Sequence, residues 1–126
     1  MRYLCVLLGG AVGSLLRYVA AMAITARYSG RFPLATFLIN VTGSFAIGVL
    51  ATLLLDAYNP NWRPLLITGL LGGYTTFSAF EFESFTAFRG GDSAIALLYL
   101  LGSVAVGYLA CWLGVAAASV LTSPKS

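Results

Sequence analysis

Four apolar stretches, each at least as long as the roughly 20 residues that cross a hydrocarbon core about 30 Å thick, take up nearly all of this 126-residue chain. They run from about 3 to 25, 34 to 57, 65 to 88 and 93 to 121. In lipid the backbone polar groups of a segment must pair internally, so each run predicts a membrane-spanning helix. With 60% hydrophobic and 9% charged residues, the chain has only 7 basic and 4 acidic side chains. That is too few to coat a soluble domain of this length, whereas lipid requires no such coat. The connectors at 27–33, 59–64 and 89–92 are short, Pro33 is well placed to open the second helix, and no internal repeat stands out. A single all-α membrane domain spanning 1–126 is expected, with no room for a soluble lobe. A signal peptide has a short apolar core, but the first run continues past Arg17 to about Thr25, so it reads as a retained helix.

Several function classes drop out on composition. The formal charge of +3 is scattered near segment ends, without the basic cluster that nucleic acid demands. There is no histidine, and Cys5 and Cys111 stand alone in apolar runs, which suggests neither a metal cluster nor a disulfide framework. No nucleophile is accompanied by a base, so enzymatic chemistry is not expected.

Lys and Arg in short loops normally set orientation, the cytoplasmic side carrying the excess. Here Arg2, Arg63 and Lys125 on the N-terminal side balance Arg27, Arg31 and Arg89 on the other, with Arg17 inside a span. The tie is either a small-number accident or the mark of a chain that inserts both ways, which would permit an antiparallel homodimer. Small residues four apart offer packing surfaces for it: Gly9 with Gly13, Ser44 with Gly48, and Ser103 with Gly107.

The third run is the anomalous one. Its segment Gly72-Gly73-Tyr74-Thr75-Thr76-Phe77-Ser78-Ala79-Phe80 is poorly suited to an uninterrupted helix, because paired glycines and adjacent threonines lower helix propensity. Non-helical backbone at membrane depth is tolerated only where protein or a water-filled cavity covers it, so a helix broken at mid-membrane marks a candidate ion site.

Polar groups within the spans are costly in lipid and normally face protein or water. Thr36, Asn40, Gly43 and Ser44 fall on one face of the second helix, and Tyr99, Ser103 and Gly107 repeat a four-residue spacing on the fourth, so the two stripes can face each other. Asn40 offers amide donors and the hydroxyls can donate or accept, a track able to follow a partly dehydrated anion; an ordinary interhelical hydrogen bond is the plainer role for Asn40. Arg17 lies past the midpoint of its span, where it either snorkels to the interface, lends fixed positive charge near an anion mouth, or pairs with Glu81 or Glu83. Phe77 and Phe80 share a face if the helix resumes after the break. Such rings usually pack, yet their electropositive edges can also line a narrow anion path.

Together these pieces resemble the Fluc, or CrcB, family of fluoride channels. The most specific match is Gly72 through Phe80 followed by Glu83, similar to the family's GG-x-(S/T)-TFS-x-F-x-x-E signature; Gly9 to Gly13 leading to Leu16-Arg17-Tyr18, and Thr36 through Phe45, support it. The resemblance implies a dual-topology antiparallel homodimer in a bacterial inner membrane, with two fluoride pathways and a central, structural Na+. By position, Gly72 and Thr75 would hold Na+ through backbone carbonyls. Asn40, Phe77 and Phe80 would line the pathway, with Ser78, Thr36, Tyr99 and Ser103 as its polar track and Arg17 and Glu83 as charges at an entrance or in the scaffold. Glu81, Gly107 and Cys111 depart from the residues common in relatives. The implied activity is passive fluoride export that relieves fluoride toxicity. Proton-coupled export through Glu81 or Glu83 and a non-transporting assembly subunit are the alternatives. Small multidrug exporters match in architecture alone, since their coupling glutamate lies in the first helix, where this chain has Arg17 and no acid.

Overall fold

Three of the four apolar runs form long helices, and the third does not. The computed structural model describes residues 1–55 and 59–122, all helical or in turns and loops, with no strand among them. Helix α1 spans Arg2–Thr25 and α2 spans Leu34–Leu53, with Pro33 at its N-cap as anticipated. The second helix stops short of 57; Ala57 itself, like Lys125 of the loop-charge count, lies outside the described residues.

The third apolar run is divided. A π-helical stretch, Arg63–Leu71, passes into one α-turn, α3 (Gly72–Tyr74); after Thr75 and Thr76 the chain resumes as α4 (Phe77–Arg89). Gly91 then takes φ +87°, a left-handed turn that glycine enters at little cost, and α5 runs from Ser93 to Thr122. At 1.5 Å per residue, α1, α2 and α5 measure about 36, 30 and 45 Å, enough to cross a bilayer core. With three such helices this is a multi-pass membrane protein.

Large side chains point outward and small ones meet. Leu15, Val104, Phe82 and Trp112 are among many exposed apolar residues, while the buried positions include Gly9, Gly13, Gly48, Gly69, Gly114, Ala96, Ala110 and Ala118. This is how helices pack in lipid, where burying leucine gains little and close backbone approach gains dispersion contact. A Cβ at Gly9 or Gly13 would strike the carbonyl oxygens of Leu65 or Leu70, so α1 lies directly on the π-helical stretch. On the other side, Gly48 and Gly114 bring α2 and α5 together against Cys111 and Phe45 carbonyls. The broken segment is thereby held between α1 and α2.

Candidate functional site

The break falls on the threonines and not on the glycines. Gly72 stays helical (φ −63°, ψ −33°), whereas Thr75 (φ −82°, ψ 162°) and Thr76 (φ −149°, ψ 123°) are extended. β-Branched side chains suit extended backbone, and a threonine can also cap the next helix: Thr76 Oγ1 accepts from Ala79 N–H at 3.3 Å, starting α4. The glycine pair serves packing instead, since a Cβ at Gly73 would crowd the Gly10 carbonyl and Ser14 N–H of α1.

An extended residue between helices leaves its N–H and C=O unpaired, and Asn40 takes both. Its Oδ1 accepts from Thr76 N–H and its Nδ2 donates to Thr76 C=O, each at 2.9 Å. A second tie lies nearby, where Thr42 Oγ1 and Tyr74 Oη meet at 3.0 Å. Thr75 is anchored through its own N–H and hydroxyl, both donating to Leu71 C=O at 2.9 Å. Arg17 Nη1 reaches Thr75 C=O at a long 3.5 Å. The carboxylate partner considered for Arg17 is therefore not the contact it makes; Glu83 is engaged elsewhere, and Glu81 is exposed on α4.

Beside the break lies a cavity of about 370 Å³ whose walls include Asn40, Thr75, Thr76, Phe77, Phe80 and Ser103. Gly72, Gly43 and Ser44 also border it, and no charged side chain among the described residues does. Asn40, Gly43 and Ser44 of the α2 stripe and Ser103 of the α5 stripe thus face one space. Among the described residues, Ser103 Oγ is a buried polar atom with no hydrogen-bond partner. Phe80 is 6% exposed and its ring lies 5.8 Å from that of Phe77, which is 73% exposed. On its other side Phe80 meets Tyr99 at 5.0 Å and 67°, an edge-on contact that continues to Phe32.

Thr36 and Tyr99 do not border this cavity; they converge on Glu83. Thr36 Oγ1 donates to Oε1 at 2.8 Å and Tyr99 Oη to Oε2 at 2.7 Å, so both carboxylate oxygens are occupied. Charge-assisted bonds of this kind are roughly twice as strong as neutral ones. Ser78 is exposed and borders neither this cavity nor the Glu83 cluster. The roles of Thr76, Thr42 and Tyr74 were not legible from local sequence, because each depends on a partner more than 30 residues away.

The donor chemistry at the break suits a hard cation. Thr76 N–H and Ala79 N–H bond side chains and not the carbonyls of Gly72 and Thr75 one turn back, so those two oxygens are released from the helical ladder. Oxygen donors of this kind are what a hard cation takes. One chain supplies two of them, half or less of a coordination shell.

Residues 4–115 match the family model described as CrcB-like protein, Camphor Resistance (CrcB). The chain is 51% identical over 116 residues to the fluoride-specific ion channel FluC of Solibacter usitatus (strain Ellin6076), covering 90% of this chain and 95% of that relative. The fluoride-specific ion channel FluC of Acidobacterium capsulatum is 50% identical over 117 residues, 90% and 93% of the two chains. That of Paramagnetospirillum magneticum is 43% identical over 125 residues, 96% and 98%.

Proposed function

The chain belongs to the CrcB family, and we propose that it is a fluoride channel of a bacterial inner membrane, passing the ion passively through the cavity beside the helix break. The observation that carries this is the makeup of that cavity: an amide, an unpartnered buried hydroxyl and aromatic rings, with no charged group among the described residues. A small anion leaving water needs donors, yet a buried cation such as arginine would trap it. Asn40 commits one N–H to Thr76 and keeps the other; Ser103 has its O–H uncommitted. Phe77 and Phe80 supply electropositive ring edges and exclude bulky hydrated ions. An inside-negative potential favours anion exit by about 2.3 kcal/mol per 100 mV, so no energy source is required for fluoride resistance.

Two copies inserted antiparallel would complete the assembly. The balanced Lys and Arg count of the two sides supports this, as does a cation site of which one chain offers only the Gly72 and Thr75 carbonyls. Na+ held there would place fixed positive charge between the two breaks. Within this chain, Asn40 and the Thr42–Tyr74 contact hold the break in shape, and Arg17 shares the Thr75 oxygen.

Fluoride efflux from liposomes containing the purified protein, with and without Na+, tests the proposal. Electrogenic efflux that weakens when Na+ is removed is expected. Uphill fluoride movement driven by a pH gradient would replace the passive channel with a coupled exporter, and absence of efflux in Na+ would favour a non-transporting subunit.

A further inference from the structure

A second cavity, of about 420 Å³, opens at the end of the molecule where the α1–α2 and α4–α5 connectors meet. Pro33, Phe82, Glu83 and Thr86 line it, and Arg31 and Asp92 stand among its walls. Glu83 also belongs to the cluster with Thr36 and Tyr99, and Tyr99 packs against Phe80, a wall of the first cavity. The contacts of Glu83 with Tyr99 and of Tyr99 with Phe80 thus join a wall of one cavity to a wall of the other. Arg31 Nη1 donates to Asp92 Oδ1 at 3.1 Å, the one salt bridge among the described residues, and the two side chains are 78% and 38% exposed.

Among the described residues three charges therefore line this cavity: carboxylates at Glu83 and Asp92, and the guanidinium of Arg31. We infer that the second cavity is an outer vestibule of the fluoride pathway and that Arg31 sets its charge, cancelling Asp92 so that an approaching anion meets the field of one carboxylate and not two. The inference rests on the channel reading. As a brace alone the pair would be worth little, because solvent screens an ion pair this exposed. As a charge at the mouth of a low-dielectric cleft, the same arginine governs the local concentration of the permeating ion.

The test is fluoride flux at low fluoride concentration, comparing Arg31→Gln, Asp92→Asn, the double variant and Arg31→Lys with the unaltered protein at low and high ionic strength. Arg31→Gln is expected to slow flux several-fold at about 10 mM ionic strength, and to approach the unaltered rate near 1 M, where charges are screened within about 3 Å. Asp92→Asn speeds flux, the double variant returns close to the starting rate, and Arg31→Lys keeps it. Equal losses in both single variants, independent of salt, would make the pair a structural brace and overturn the inference, as would unchanged flux in Arg31→Gln at every ionic strength. Absence of flux in the unaltered protein would instead overturn the channel reading itself.

Discussion

Asn40 and Thr76, 36 residues apart, are joined through both backbone polar groups of Thr76, with the asparagine amide standing where a neighbouring strand would be. This one side chain lets the backbone leave helical geometry between α3 and α4 without stranding a part-buried N–H and C=O, each of which would cost up to about 1–3 kcal/mol if fully buried. It also borders the cavity, so its shaping and donor functions are combined.

Asn40→Asp keeps the acceptor for Thr76 N–H but sets a carboxylate oxygen against Thr76 C=O. Loss of that hydrogen bond is expected to cost about 1–3 kcal/mol and to abolish or sharply reduce fluoride efflux, while size-exclusion chromatography still reports the assembled protein. Normal efflux would remove Asn40 from the pathway.

Phe80→Ile replaces a nearly buried ring that touches both Phe77 and Tyr99. A branched aliphatic of smaller volume should cost about 1–2 kcal/mol in thermal unfolding, and the larger effect is expected in transport, since the electropositive ring edge is gone. Fluoride electrode recordings that matched the unaltered protein would refute the aromatic assignment.

Ser103→Ala separates stability from function by sign. The hydroxyl is buried and unpartnered, so its removal should leave stability unchanged or raise it by up to about 1 kcal/mol. Fluoride flux should fall several-fold. A stability loss would mean that the hydroxyl has a protein partner in the membrane assembly.

Gly13→Ala and Gly102→Ala test the packing of α1 against the broken segment. A Cβ at Gly13 meets the Leu70 carbonyl, whereas one at Gly102 has nothing within 4 Å. The first should destabilise by about 2 kcal/mol or more, since rigid backbone must shift; the second should be neutral or stabilising by about 0.5–1 kcal/mol. Melting curves in detergent distinguish them.

Much of the architecture follows from local patterns. The lengths of the apolar runs set the long helices α1, α2 and α5, and Pro33 marked a helix start because its ring fixes φ. Low propensity located an interruption in the third run. It did not choose the residue: Gly72 and Gly73 are the weaker helix formers, yet they remain helical, and α1 approaches too closely for a side chain at Gly73.

Run length, helix propensity and residue spacing are local properties, and they were enough to place this chain in a membrane, to mark its third apolar segment as interrupted and to display its family signature. Which groups meet was settled in three dimensions. Asn40 finds Thr76, Glu83 gathers Thr36 from 47 residues away, and Arg17 turns to a Thr75 carbonyl and not to an acid. Those choices depend on how closely glycine-lined helices approach and on which buried polar groups must be satisfied, and no stretch of local sequence contains both partners.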